Sequence, residues 1–225
     1  MNLEKEIPAR TIERMVLYKR LLADLLSKGQ KTLFSHQLAA LAHNTSAQVR
    51  RDLMTIGYGG SPRKGYHIEE LIERISDILD SSSDHLIALV GVGNLGSAIL
   101  SYFTYSHPGL KIVAAFDTDA GKVNREVFGC PCFPIDCFEE KARQLGVTLG
   151  IITVPAAFAQ ETADRMVASG IKGILNFAPV PLKLPDHVCN DRIDIASALE
   201  KLAYFSERMS QFSTGKANIE HPQHP

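Results

Sequence analysis

No run of 18 apolar residues occurs anywhere in the 225-residue chain, so no membrane-spanning helix is expected and no membrane partner. The opening residues, MNLEKEIPAR, have no apolar core of the kind a secretory signal needs, and the expected setting is the cytoplasm. Cysteine is scarce, with four residues at 130, 132, 137 and 189. Cys130-Pro-Cys132 lacks the two-residue separation of a redox or zinc motif and has no His beside it, so no metal is expected. The thiols are read as reduced, small buried hydrophobes. A histidine paired with an acid at a spacing suited to proton transfer is also missing. His85, His107 and His187 are read as surface residues, and no catalytic residue is nominated. With 45% hydrophobic and 22% charged residues, the composition excludes a disordered or fibrous chain. At about 100–200 residues per domain, the length leaves room for one large domain or two small ones.

Charge is balanced overall at −1 but unevenly placed. Through residue 67 the chain has eleven Lys and Arg against five Asp and Glu, and thereafter thirteen against twenty. A basic N-terminal block on an acidic body fits a module that meets a polyanion, carried by one with another task.

In the basic block, Ile12, Met15, Val16, Leu21, Leu22, Leu25 and Leu26 recur at helical spacing between Pro8 and Gly29, which predicts one amphipathic helix. Ser35 is read as the N-cap of a second, through Leu41-Ala42, and Thr45 or Ser46 as the cap of a third, Ala47–Ile56. The third helix places Gln48, Arg50, Arg51 and Thr55 on one side and Val49, Leu53 and Ile56 on the other. Two short helices joined by a tight turn, the second rich in Arg and Gln, form a helix-turn-helix. Arg pairs with guanine, Gln with adenine, and further cations take phosphates. Gly57 to Tyr66 is glycine-rich and tipped by Arg63 and Lys64, which reads as a β-hairpin wing reaching phosphate or the minor groove. The DNA-binding candidates are therefore Ser35, Gln48, Arg50, Arg51, Arg63 and Lys64, in a dimer reading a palindrome. A helical protein-docking domain with solvated Arg residues is the alternative.

The apolar run Leu86–Val90 is followed at once by Gly91-Val92-Gly93-Asn94-Leu95-Gly96 and a helical stretch, Ser97–Tyr105. This is G-x-G-x-x-G between a buried strand and a helix, the context in which glycines give the tight turn, the approach to pyrophosphate and close helix packing. A second strand, Lys111–Phe116, ends at Asp117, where an acid should hold the adenosine ribose 2′-OH and so favour NAD over NADP; Asp119 is the backup. A helix near Asp136–Leu145, strand Leu149–Val154, helix Ala157–Ser169 and strand Gly173–Phe177 continue the alternation of an open parallel sheet. At strand ends, Thr153-Val154-Pro155 and Asn176-Phe177 are candidate ligand contacts, with ordinary turn chemistry as the alternative.

Helix Ile68–Leu79 and a last helix, Ala196–Gln211, have apolar faces with no partner in a completed sheet, which suggests a dimer interface. The expected organisation is α/β. It comprises a winged helix-turn-helix domain over 1–80, a Rossmann-type parallel-sheet domain over 84–192, a C-terminal dimerisation helix over 193–212 exchanged between protomers, and a disordered tail over 213–225. A nucleotide fold without a catalytic domain, joined to a DNA reader, describes a sensor. The alternatives are a small NAD- or CoA-dependent enzyme or ligase-like subunit, and a nucleotide-binding scaffold.

The stretches IPARTIERMVLYKRLL (7–22), AQVRRDLMTIG (47–57), ALVGVGNLGSAILSY (88–102), IVAAFDTDAGKV (112–123), GIITVPAAFAQETADRMVASGIKGILNFAPV (150–180) and RIDIASALEKL (192–202) resemble the Rex family of redox-sensing bacterial repressors. The resemblance implies a homodimer on a palindromic operator, released by NADH, with NADH and NAD⁺ as effector ligands. It further implies that Gly91, Gly93, Asn94, Leu95 and Gly96 cradle the pyrophosphate. It implies a switch of Arg20, Tyr102 and the partner's copy of Asp194. The chain departs from the family at the wing, where Pro62-Arg63 replaces an Arg-Gly pair, and at Ile195, where some relatives have an aromatic.

Overall fold

Apolar periodicity changes from helical to alternating and continuous runs after residue 84, and the architecture changes with it. The computed structural model describes residues 7–61, 64–79, 84–104 and 109–214, so Arg63, His107 and the tail beyond residue 214 lie outside the described residues. Two compact units divide the chain, Met1–Ser83 and Asp84–Pro225.

The first unit orders α1 (Ala9–Ser27), β1 (Thr32–Leu33), α2 (Ser35–Leu41), α3 (Ser46–Thr55), β2 (Tyr66–His67) and α4 (Ile68–Leu79). Met15, Tyr18 and Leu22 of α1, Leu38 of α2, Val49 and Leu53 of α3 and Ile68, Leu71 and Ile75 of α4 are all fully buried in one core. Thr45 caps α3, its hydroxyl accepting the Gln48 N–H at 3.1 Å, as expected for Thr at that position. Ser35 does not cap α2. The helix begins on it, and the preceding Phe34 N–H donates to Gln37 Oε1 at 2.7 Å, so the three-residue reach of Gln37 does the capping. β1 and β2 pair antiparallel, and Ser61 and Gly65 exchange both backbone hydrogen bonds to close the narrow wing.

The second unit is a seven-stranded sheet. β3 (His85–Val90) leads to α5 (Asn94–Phe103) and β4 (Leu110–Asp117). A hairpin of β5 (Arg125–Val127) and β6 (Cys130–Pro134) follows, then a short 3₁₀ turn (Ile135–Cys137) and α6 (Phe138–Gln144). After β7 (Leu149–Ile152) come α7 (Ala156–Ala168), β8 (Gly173–Asn176), β9 (Cys189–Arg192) and α8 (Ile195–Thr214). The sheet order is β5-β6-β4-β3-β7-β8-β9, parallel except at β5. The order therefore reverses at β3, and a crevice opens at the carboxyl ends of β3 and β7, where such sheets take ligands. Phe116 and Phe138 pack edge to face at 4.7 Å in the core on one side of the sheet.

Four strands went unanticipated: β1, β5, β6 and β9. Of the cysteines, Cys130 and Cys132 are buried, with burial pushing the Cys130 thiol up to about 12 and raising Cys132 as well. Cys189 is exposed on β9 rather than buried, because β9 is the sheet edge. Among the described residues no helix is long and apolar enough to cross a membrane, and no cluster of His, Cys, Asp or Glu is placed to hold a metal.

Candidate nucleic-acid interface and dinucleotide cleft

On α3, Ala47, Arg50, Arg51, Met54 and Thr55 are exposed, while Val49, Asp52 and Leu53 are buried. At 3.6 residues per turn the exposed set forms one continuous arc. Arg50 Nη1 donates to the Ser35 hydroxyl at 3.1 Å, which ties the arc to the start of α2. Arg51 projects from the same arc, and Lys64 is exposed beside the wing closure. Gln48 is differently engaged. Its amide nitrogen donates to Asp52 Oδ1 at 2.8 Å, so it supports the back of the helix.

Asp52 is the hub of a network that sequence spacing did not reveal. Arg14 of α1 donates to both its carboxylate oxygens at 2.6 Å, and Tyr18 donates at 3.0 Å. Burial opposes the charge on Asp52, but hydrogen bonds from Arg14, Gln48 and Tyr18 overcome it and hold the carboxyl below its usual range. Burial, then Asp52, pushes the Tyr18 hydroxyl up to about 12, keeping it a donor. The α1 cation joined to α3 is thus Arg14, while Arg20, which the resemblance places in a switch with Tyr102 and the partner's copy of Asp194, is exposed on α1. The missed signal was an acid, Asp52, among the buried positions of α3, which demands a cation nearby.

In the second unit the turn after β3 is shaped by absent side chains. Gly91 has φ +100°, and a Cβ there would lie 2.8 Å from the Thr153 carbonyl. A Cβ on Gly96 would lie 2.0 Å from the Gly91 oxygen, whereas one on Gly93 would meet nothing within 4 Å. Gly91 and Gly96 therefore serve the close approach of β3, β7 and α5, and Gly93 leaves open room in front of the α5 N-terminus. Thr153 Oγ1 donates to the Gly91 oxygen at 2.7 Å and so fixes the turn from β7. Asp117 accepts the Val92 N–H at 2.7 Å and the Asp119 N–H at 2.9 Å, and Lys122 stands 3.5 Å from it.

These groups line a cleft of about 490 Å³ with Val90, Thr118, Ile135, Asp136, Phe158 and Arg165 also on its walls. Gly91, Gly93, Asp117, Thr153, Val154 and Pro155 come together in it. Val92 is buried, and Asn94, Leu95 and Gly96 belong to the first turn of α5. Asn176 and Phe177 are not among the lining residues. The Asn176 amide bonds Val180 and Ala178 at 2.8 and 2.9 Å, closing its own loop, and Phe177 packs on the sheet core. Lys122, Ile135 and Phe158 were not anticipated. Phe158 carries a readable signal, a large apolar residue outside the stripe Ala159, Thr162, Ala163 and Met166 that α7 buries. Arg165 and Glu139 form a two-pronged pair at 2.5 and 2.8 Å that joins α6 to α7 under the cleft.

The cleft fits a dinucleotide: vacant space over Gly93 at a helix N-terminus suits an anion, and an oriented carboxylate at the end of β4 suits a diol. Asp194, assigned by resemblance to a switch, caps α8, accepting the Ser197 N–H at 3.0 Å and its hydroxyl at 2.8 Å. Tyr102 is exposed on α5, its ring edge-on to Phe103.

Comparison with known proteins agrees with both halves. Residues 6–53 match the family described as putative DNA-binding protein N-terminus, and residues 82–180 match the CoA binding domain family. The redox-sensing transcriptional repressor Rex of Carboxydothermus hydrogenoformans is 41% identical over 88% of this chain and 96% of its own length. That of Streptomyces coelicolor is 37% identical over 90% of this chain and 78% of its own. The Rex-family repressor RSP, solved with NAD⁺ and operator DNA, is 29% identical with a TM-score of 0.86, covering 96% of this chain and 100% of that one. RSP has also been solved with NADH, at a TM-score of 0.82 over 93% of this chain and 99% of that one. These relatives are regulators and not enzymes, and this chain belongs to the Rex family of redox-sensing transcriptional repressors.

Proposed function

We propose that two copies of this chain occupy a palindromic operator through α3 and the wing, and that NADH held in the cleft after β3 releases them. The observation that carries this reading is the joining of two devices in one chain: a cationic recognition arc, and a glycine-cleared dinucleotide cleft. In this reading Arg50, Arg51, Arg63 and Lys64 meet DNA, Ser35 orients Arg50, and Gln48 braces Asp52. Gly91, Val92, Gly93, Asn94, Leu95 and Gly96 shape the pyrophosphate seat, and Asp117 takes the adenosine ribose. Thr153, Val154 and Pro155 wall the cleft, and Asn176 and Phe177 hold the neighbouring loop. Arg20, Tyr102 and Asp194 are carried over as switch residues on resemblance alone. The cytoplasm, where operator DNA and pyridine nucleotides meet, is the proposed setting.

The dimer is supported by α8. Ile195, Leu199, Leu202, Phe205 and Met209 are more than half exposed in the single chain, and a helix with that much uncovered apolar surface calls for a partner. A second α8 or the partner's sheet unit would supply it.

NAD⁺ and NADH differ in the charge of one ring, cationic in the first and neutral in the second. Apolar side chains against that ring favour the neutral form, because they cannot replace the water a cation gives up. For NADH to release DNA the released state must bind NADH more tightly. By linkage DNA then weakens NADH by the same factor, commonly about 1–3 kcal/mol.

The test is a duplex selected by the full chain from a randomised library, titrated with NADH and with NAD⁺. NADH is expected to release it at far lower concentration, and equal potency of the two nucleotides would overturn redox sensing. Nucleotide-dependent absorbance change with turnover would instead favour the enzyme reading.

A further inference from the structure

Met54 is 73% exposed on a helix whose other large apolar side chains, Val49 and Leu53, are fully buried. It sits four residues after Arg50 and three after Arg51, so it shares their face of the helix. Ala47, one turn earlier again, is exposed on the same line. The centre of the recognition arc is thus an apolar strip, Ala47 to Met54, with one guanidinium on either side.

Water is a poor occupant for such a strip, and a protein surface docked there would have to cover both guanidinium groups. A DNA duplex satisfies both demands, because phosphates or guanine edges take the arginines. The one apolar group on the floor of the major groove is the 5-methyl of thymine. The long, flexible, polarisable Met side chain can reach and settle on such a group without a preformed pocket. We infer that Met54 is a specificity-determining residue that packs on a thymine methyl at one position of each half-site. This rests on the proposed entry of α3 into the major groove. It adds an element that hydrogen-bond readout does not supply: preference for thymine over any base lacking that methyl.

The experiment replaces thymine by deoxyuridine, which removes only the methyl group, at each thymine of the selected duplex in turn. With the full wild-type chain, one position per half-site should lose about fourfold in affinity, the value of burying one methyl-sized group. With Met54→Ala the overall affinity falls and that position becomes indifferent to the substitution, whereas Met54→Leu, which keeps apolar bulk, retains the penalty. Since Met54 faces outward, thermal melting of both variants should match wild type. Equal penalties in wild type and Met54→Ala, or no sensitive thymine in wild type, would overturn the inference and leave the DNA reading standing. Failure of the full chain to enrich any duplex would remove both.

Discussion

The exposed arc of α3 presents side chains, whereas the turn after β3 presents their absence. Arg50, Arg51 and Met54 project from a convex helix held from behind by the buried carboxylate of Asp52. Gly93 leaves a concave seat open, and Gly91 and Gly96 let its backbone walls approach closely, held by Thr153 and Asp117. The difference teaches where each surface is vulnerable. Truncating a side chain should damage the first with little effect on the second, and adding a single Cβ should do the reverse.

The largest expected effect is on the support of the first surface. Asp52→Ala strands the Arg14 guanidinium and the Tyr18 hydroxyl, and should destabilise the N-terminal unit by about 3–5 kcal/mol, read by urea denaturation. Duplex binding should fall with it while the NADH titration stays as in wild type, and joint loss of both would erase the separation of the two surfaces. The same carboxylate sets an acid limit. Its folded value lies below its ordinary one, so its contribution is complete above the unfolded value of about 3.9 and disappears as pH falls through the folded value. Asp52→Asn should therefore flatten the loss of stability below about pH 4.

Adding a Cβ to Gly96 drives it into the Gly91 carbonyl, a backbone atom that cannot swing aside. Gly96→Ala should cost the sheet unit about 1–3 kcal/mol and abolish nucleotide binding. Gly93→Ala sharpens the comparison, since its Cβ meets nothing. Stability should stay within about 0.5 kcal/mol of wild type, while NADH affinity falls by about tenfold or more, equivalent to roughly 1.4 kcal/mol. An unaltered Kd for Gly93→Ala would move the pyrophosphate elsewhere.

The smallest effect is at the exposed arc. Arg51→Ala should weaken duplex binding and lower the slope of log affinity against log salt by about one if its guanidinium meets a phosphate. An unchanged slope would assign it to a base edge or to solvent.

Much of this was readable from local pattern. The periodicity of Ile68 to Leu79 coincides with α4 at both ends, and the strand-glycine-helix sequence after residue 84 located the cleft. The β5–β6 hairpin escaped notice because its turn places Phe128 at φ +51° ahead of Gly129 at φ +76°, and Phe is not a residue that announces a left-handed turn. β9 was invisible for another reason. Cys189-Asn190-Asp191-Arg192 is exposed throughout, and only backbone pairing to β8 makes it a strand.

The helices, the strands β3, β4, β7 and β8, their apolar faces and the glycine turn after β3 follow from residue spacing, because helical and extended periodicity and glycine conformation act over a few neighbours. Which polar side chains remain available to a ligand does not. Gln48 and Asn176 carry suitable groups, yet Asp52 takes one and the backbone around Ala178 and Val180 takes the other. Arg14, 38 residues from Asp52 in the chain, becomes its partner only when α1 and α3 pack together. Buried hydrogen bonds must be satisfied by whatever the folded chain brings within reach, and that proximity exists only in three dimensions.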